Sequence, residues 1–134
     1  MKKLSFYHLP FFFILFLTSC KDNPVQLTQE PAYKEVVALL YQSGTNPPIV
    51  TLINNELNVT ITSIRVDTGL YTLVSDSPVF TTYKTITFIN NSVLGNISAF
   101  QSSRYTISIE TKNENSNYSD NILIENSITI RVYK

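Results

Sequence analysis

The sequence contains no tryptophan, one cysteine, one histidine and three glycines among its 134 residues. The histidine is His8 and the cysteine is Cys20, so residues 21–134 contain neither type. Catalysis by a Ser-His-Asp or Cys-His arrangement therefore has no base in that region, and histidine-ligated zinc, copper and iron sites are excluded for the same reason. Carboxylate pairs, Ser-Lys chemistry and oxygen-ligated calcium stay open. We expect that the protein binds no cofactor or metal and has no enzymatic activity.

Positive charge is also scarce. Lys2 and Lys3 are the only charged residues before Cys20, and the rest of the chain carries 8 basic and 10 acidic residues. This balance provides no basic face for nucleic acid and no polybasic cluster for lipid headgroups. We therefore expect no nucleic-acid partner.

The N-terminal end has the layout of a secretory signal peptide. Lys2 and Lys3 precede the apolar run 11–17, and small residues follow that run. The run is about a third of the roughly 20 residues that span a bilayer as a helix. The pattern predicts a cleaved leader and disfavours a permanent transmembrane anchor.

The leader ends in Leu17-Thr18-Ser19-Cys20, which resembles the lipobox of bacterial lipoproteins. The resemblance implies that residues 1–19 are a lipoprotein signal peptide and that the thiol and the amine of Cys20 are acylated. Two or three acyl chains hold a protein stably on a membrane, whereas a single chain is marginal. An ordinary secreted protein with a free thiol at Cys20 is the alternative.

The residues after Cys20 bear on location. Position 21 is lysine, whereas the inner-membrane retention signal of enterobacterial lipoproteins has aspartate there, and this favours the outer membrane. The segment 20–23 also resembles the lysine-plus-acid export tag of Bacteroidota lipoproteins, with one acid where that tag usually has two or more. Cell-surface and periplasmic orientations both stay open. The implied partner is the membrane, through the lipid on Cys20.

After the leader the composition changes once. Residues 20–32 are polar and contain two prolines, so we predict a flexible tether. Residues 33–134 are rich in Ile, Val, Thr and Tyr, which favour strands, while Asn, Asp, Ser and Pro supply the turns. Apolar–polar alternation predicts short strands. They cover 59–66 with a change of face near Ser63, 70–74, 82–89, 96–101, 104–110 and 127–133.

Segment 33–41 fits two secondary structures, because its apolar residues match one face of a helix and also a buried strand. The strings YKEVVALLYQSGTNPP, NNELN, DTGLYTL and ITIRVYK are similar to small flavobacterial β-proteins without an assigned function. Those proteins usually have a tryptophan before Gly-x-Tyr, where this chain has Ser63-Ile64-Arg65. The resemblance favours a strand at 33–41. We expect one all-β domain over 33–134, an antiparallel sandwich of seven or eight strands, immunoglobulin-like or jelly-roll-like.

Exposed tyrosines are the candidate ligand-binding residues, because tyrosine joins a flat apolar ring to a polar tip. Tyr83 and Tyr133 have mostly Thr and Arg as neighbours on the same strand face. We predict that these two side chains are exposed and available to a glycan or a partner protein. Tyr71 and Tyr105 are predicted to close the edges of the sandwich.

Two further clusters each have a structural and a functional interpretation. Arg65, Arg104 and Arg131 either converge on an anion or serve as surface charges that protect sheet edges. The loop 113–121 is crowded with oxygen donors and has asparagines at the one-three-five spacing of an EF-hand, but it lacks the glycine and the final glutamate. We predict a solvated hairpin loop there, with calcium as the minor alternative.

These patterns predict a membrane-anchored, non-catalytic structural or binding module of the cell envelope. Such a module acts through a sheet face or edge on an envelope protein or a glycan. A small hydrolase or an inhibitor acting on wall or host material is the alternative. A concave site with converging carboxylates favours chemistry, and a flat sheet with surface tyrosines favours binding.

Overall fold

The computed structural model describes residues 32–90, 92 and 94–134, and these form two antiparallel sheets that pack against each other. The strands are β1 (Tyr33–Tyr41), β2 (Ile49–Asn55), β3 (Ile61–Asp67), β4 (Leu70–Ser75), β5 (Thr85–Ile89), β6 (Asn96–Gln101), β7 (Thr106–Lys112) and β8 (Asn126–Tyr133). Sheet A has the order β2-β1-β8-β5, and sheet B has the order β3-β4-β7-β6. The predicted antiparallel β-sandwich is confirmed.

The core lies where the inward-facing side chains of the two sheets meet. In β1, Val36, Ala38 and Leu40 are buried and alternate with outward residues, as the two-residue period of a strand requires. Full burial of one aliphatic side chain stabilises the fold by about 1.5–3 kcal/mol, so this alternation fixes which face turns inward. The same alternation buries Tyr71 and Leu73 on β4, Ile107 and Ile109 on β7, and Ile128 and Ile130 on β8.

Connections between strands add to this core. Phe80, between β4 and β5, is fully buried, and its N–H donates to the carbonyl of Arg104 at 3.0 Å. Leu123, between β7 and β8, is equally buried, and its carbonyl accepts a hydrogen bond from the N–H of Gln42 at 2.8 Å. These apolar anchors hold the connections against the sandwich.

Several predicted strands are confirmed. Segment 33–41 is the strand β1 and not a helix. The predicted strands at 70–74, 96–101 and 127–133 agree with β4, β6 and β8 to within one residue at either end.

Three strand predictions need correction. β5 begins at Thr85 because the residues before it form a turn, closed by a 3.0 Å hydrogen bond from the N–H of Lys84 to the carbonyl of Thr81. β7 begins at Thr106 and extends to Lys112. In β3 the pairing shifts between Arg65 and Asp67 and not near Ser63.

β2 has no counterpart among the predicted strands. Its sequence, IVTLINN, shows no clear alternation because Leu52 and Ile53 are adjacent apolar residues. The pairing with β1 shifts between Val37 and Ala38, so that Ile53 is the extra residue of a bulge. A bulge interrupts the two-residue period, which is the signal that would have indicated the strand.

Within the described residues, no helix is long and apolar enough to cross a membrane. The predicted signal peptide at 1–19, the predicted lipid site at Cys20 and the predicted tether up to residue 31 lie outside the described residues. All three stay predictions.

Candidate functional site

A cluster of aromatic and charged side chains lies on the outer face of sheet A, at the end where β1 begins. The alternation of β1 directs Tyr33 and Glu35 outward. β8 pairs with β1 so that Tyr33 lies opposite Tyr133 and Glu35 opposite Arg131. β5 pairs with the other side of β8 and places Ile86 opposite Arg131. We define the Arg131 surface as Tyr33, Glu35, Ile86, Phe88, Arg131 and Tyr133.

Three contacts fix the side chain of Arg131. Its Nε donates to Oε2 of Glu35 at 3.0 Å. Its guanidinium carbon lies 4.6 Å from the ring centroid of Tyr33 and 5.3 Å from that of Phe88, both within the range of cation–π attraction. The hydrogen bond that Arg131 donates to Glu35 raises the pKa of Arg131 above its ordinary value, so the guanidinium stays charged. Tyr33 also packs against Tyr133, with ring centroids 5.4 Å apart.

The face around this ion pair is apolar and open to solvent. Ile86 is 45% exposed and Phe88 49%, and the same face of sheet A continues to Tyr41 and Ile49, which are 46% and 63% exposed. Glu35 and Arg131 neutralise each other, so the Arg131 surface has no net charge. Aromatic residues and arginine are enriched at protein interfaces, whose centres are poor in charge. The composition is therefore typical of a protein-contact surface.

The two tyrosines predicted to bind a ligand lie at this end of sheet A. Tyr133 belongs to the Arg131 surface, but it is partly buried against Tyr33 and not freely exposed. Tyr83 is fully exposed, as predicted, but it lies in the turn before β5 with a φ of 63° and not on a strand. The N–H of Tyr133 donates to the carbonyl of Lys84 at 2.8 Å, so the two segments adjoin. Ligand binding by either tyrosine stays a prediction.

Most of the Arg131 surface is not indicated by the sequence. Glu35 and Arg131 are 96 positions apart, and no local pattern shows that β1 pairs with β8. The outward position of Tyr33 and of Phe88 depends on the same pairing. The one local pattern is that Glu35 and Arg131 each lie two residues from a tyrosine in the same strand, which puts each charge and its tyrosine on one strand face. This pattern indicates a shared surface only after the register of β1 and β8 is known.

A second polar cluster joins the loop 113–121 to the hairpin of β3 and β4. Asp120 accepts hydrogen bonds from Arg65 Nη2 at 2.7 Å, the N–H of Gly69 at 3.0 Å and the hydroxyl of Tyr71 at 2.5 Å. The hydrogen bond from Arg65 is the main cause that lowers the pKa of Asp120 to about 2. Burial, and then the hydrogen bond to Asp120, raise the pKa of Tyr71 above its ordinary value. Each of these polar groups has a hydrogen-bond partner, so the cluster holds the loop against the hairpin as a structural contact. We call Arg65, Gly69, Tyr71 and Asp120 the Asp120 clamp.

The structure also bears on the predicted arginine cluster, the loop 113–121 and the possible metal site. Arg65 pairs with Asp120 beside sheet B, Arg131 pairs with Glu35 on sheet A, and Arg104 is exposed before β7, so the three arginines do not form one anion site. The loop 113–121 turns back on itself through an antiparallel bridge between Lys112 and Tyr118, and its residues 114–118 are exposed, so the predicted solvated hairpin loop is confirmed; the chain crosses to sheet A after it. In the described ranges, no group of three or more His, Cys, Asp or Glu side chains is placed to hold a metal ion.

Of the two tyrosines predicted at the sandwich edges, neither lies there. Tyr71 is buried in the core on β4, where it faces Ile109 across the β4–β7 pair. Tyr105 is 47% exposed and precedes the first residue of β7. The corrected start of β7 explains the difference, because Tyr105 leaves the alternation that buries Ile107.

Comparison with known proteins adds no function. No family model, no curated protein and no solved structure matches the chain. The lipobox and the likeness to flavobacterial β-proteins stay predictions, and function has to be inferred from the geometry of the described residues.

Proposed function

We propose that this protein is a lipid-anchored, non-catalytic binding module of the cell envelope, which contacts another envelope protein through the Arg131 surface. The lipid on Cys20 attaches it to the outer membrane. The observation that carries the proposal is the Glu35–Arg131 ion pair held against the rings of Tyr33 and Phe88 on an open sheet face. A sheet face that meets water normally carries polar side chains outward.

The chemistry of the surface defines the partner. The ion pair is neutral and its neighbours on β5 are apolar, while the carboxylate of Glu56 lies at the rim, where it accepts a hydrogen bond from the N–H of Glu35 at 3.0 Å. The complementary surface therefore has an uncharged, apolar centre. Arginine stacked on aromatic rings is already ordered, which lowers the entropy cost of association. Aromatic residues and arginine also contribute most of the binding energy in protein interfaces. These features favour a folded protein as the partner over a polyanion.

The position of the surface in the chain limits where the partner lies. Tyr33 follows Cys20 by 13 residues, which span at most about 45 Å when fully extended. The Arg131 surface is at the end of sheet A that this segment enters. The partner therefore lies in, or close to, the membrane that holds the lipid.

The alternative of a small hydrolase or inhibitor has less support. A carboxylate-pair mechanism needs two acids that converge on one substrate bond. Glu35 lies on β1 of sheet A and Asp120 in the connection between β7 and β8, and each binds a different arginine. Ion pairing of both carboxylates supports the binding module over a carboxylate-pair hydrolase.

Position-specific photo-crosslinking in cells tests the proposal. A benzophenone amino acid replaces Phe88 on the Arg131 surface or Ile64 on the outer face of sheet B; the native side chains are 49% and 51% exposed. We expect a discrete adduct with one envelope protein from position 88 and none from position 64. The absence of an adduct from position 88, or the same pattern from both positions, would overturn the proposal.

A matched pair of arginine variants sharpens this test. Arg131→Ala removes the stacked cation, whereas Arg104→Ala removes an exposed arginine outside the Arg131 surface. We expect Arg131→Ala to weaken the adduct strongly and Arg104→Ala to leave it unchanged. Equal adducts from the two variants would exclude a role for Arg131.

A further inference from the structure

The outer face of sheet B contains a groove of about 250 Å³. Leu70 and Val66 form one wall, and Phe100, which is 46% exposed, forms the other. The hydroxyl side chains of Thr72 and Ser108 form the floor. Glu110, Tyr71 and Ile109 complete the lining.

Strand pairing explains why an open space lies between these walls. Leu70 is on β4 and Phe100 on β6, and β7 runs between those strands. Neighbouring strands are about 4.8 Å apart, and Leu70 is offset from Phe100 by two residues along the strands, so the two walls stand roughly 12 Å apart on a diagonal. On β7, Ser108 lies opposite Phe100 and Glu110 opposite Leu70. The small side chain of Ser108 leaves room above the middle strand for one ring of a ligand.

The carboxylate of Glu110 is a hydrogen-bond acceptor whose negative charge is balanced by a nearby lysine. Its Oε2 lies 3.8 Å from Nζ of Lys112 and 3.5 Å from the hydroxyl of Tyr118. Lys112 in turn lies 4.8 Å above the ring of Tyr118. A cationic ligand would compete with Lys112 for Glu110, whereas an uncharged ligand with hydroxyl donors would not.

We infer that this groove binds one ring of a neutral sugar. The flat C–H face of a hexose packs against an aromatic wall. The carboxylate of Glu110 can accept hydrogen bonds from two of the hexose hydroxyls. Thr72 and Ser108 both donate and accept, so they match further ring hydroxyls. Pockets for drug-sized ligands measure about 300–1,000 Å³, so the smaller groove takes a single ring. The site lies on the sheet opposite the Arg131 surface and goes beyond the proposed function.

Ligand-observed saturation-transfer NMR tests this inference. The purified full-length lipoprotein is held in micelles of a detergent without a sugar headgroup, and the probes are the methyl glycosides of glucose, galactose and mannose. We expect saturation transfer to the ring C–H protons of at least one probe. No transfer to any of the three would overturn the inference.

Matched variants locate the binding. We expect Phe100→Ala and Glu110→Gln each to weaken binding about tenfold, because each removes one of the main contacts. Phe88→Ala, an aromatic change on the opposite sheet, and Glu114→Gln, a carboxylate change in an exposed loop, are expected to leave it unchanged. Equal binding by wild type and Phe100→Ala, or by wild type and Glu110→Gln, would overturn the inference. Because Phe88→Ala affects only the protein partner, the two proposals fail separately.

Short linear oligosaccharides of the same sugar distinguish the source of the ligand. Affinity that rises with chain length indicates a polysaccharide laid along the groove between β4 and β6. Affinity that stays constant indicates a free sugar or a chain end. Either result supports the ring site.

Discussion

Asp120 has a dense set of hydrogen bonds for a residue outside the strands. Its side chain is 11% exposed and accepts hydrogen bonds from Arg65, Gly69 and Tyr71. The sequence places it in an oxygen-rich loop, which predicts exposure to solvent. Arg65 stands 55 positions earlier, and nothing local to residues 113–121 shows that the two side chains meet.

Replacement of Asp120 measures what this clamp contributes. Asp120→Asn keeps the shape of the side chain but leaves Arg65 without its counter-charge. We expect the free energy of unfolding in urea to fall by about 2–3 kcal/mol, because hydrogen bonds to a charged group are lost. Glu114→Gln, in the same loop but exposed, is the control and is expected to change little. Equal midpoints for the two variants would contradict the prediction.

The pH dependence of the same residue has a defined sign. The pKa of Asp120 is lowered from 3.8 to about 2 in the folded protein, so the unfolded chain binds its proton more readily. The stability that Asp120 provides is complete above pH 3.8 and is lost as the pH falls through about 2. The difference in unfolding free energy between wild type and Asp120→Asn is therefore expected to narrow over that interval. A constant difference would show that the charge of Asp120 is not the cause.

Tyr83 is a strained residue with an exposed ring. A non-glycine residue at φ 63° carries a conformational cost of roughly 1–2 kcal/mol, and the ring gives no burial in return. We expect Tyr83→Gly to raise the free energy of unfolding by up to about 1 kcal/mol after the greater chain entropy of glycine is included. Tyr83→Ala removes the ring but keeps the Cβ, and is expected to change little. Thermal unfolding compares the stability of both variants with that of the wild type. A lower stability of Tyr83→Gly than of the wild type would contradict the predicted backbone strain at residue 83.

At the scale of elements, alternation in the sequence predicts the strands that are regular and fails where the period is broken. β8 buries Ile128 and Ile130 and turns Thr129 and Arg131 outward, which its sequence already shows. β2 contains a bulge at Ile53, and the predicted start of β5 falls in the turn that contains Tyr83. Pairing between strands distant in the chain leaves no local signal, so the Arg131 surface could not be predicted.

The turn between β3 and β4 is held against β7 and the crossover loop at Gly69. Its φ is 65°, and a Cβ there would lie 2.5 Å from the carbonyl oxygen of Thr111 and 2.6 Å from the backbone nitrogen of Ser119. We expect Gly69→Ala to lower the free energy of unfolding by at least about 2 kcal/mol, because strain and a backbone clash add. Gly44→Ala has a similar φ of 62° with no atom within 4 Å, and is expected to cost only the strain, about 1 kcal/mol. Equal losses in urea unfolding would show that the close approach at Gly69 is unimportant.

At the scale of the whole molecule, the sandwich separates two outer faces. The Arg131 surface on sheet A lies at the end entered from Cys20, and the groove on sheet B lies on the opposite side. The proposed lipid brings the first face to a partner in the envelope and leaves the second free for a sugar. The core and the Asp120 clamp keep both faces in fixed positions.

The most direct test of the Arg131 surface is the reactivity of a single thiol in the native envelope. Cys20 is the single cysteine of the sequence, and the proposed acylation would block its thiol, so Phe88→Cys and Ile64→Cys each introduce one reactive group. Reaction with a maleimide is followed in isolated envelope fragments and in the purified protein. We expect the thiol at 88 to react at least several-fold more slowly in the envelope than in the purified protein, and the thiol at 64 to react equally in both. Equal reactivity of the thiol at 88 in both preparations would contradict a partner on the Arg131 surface.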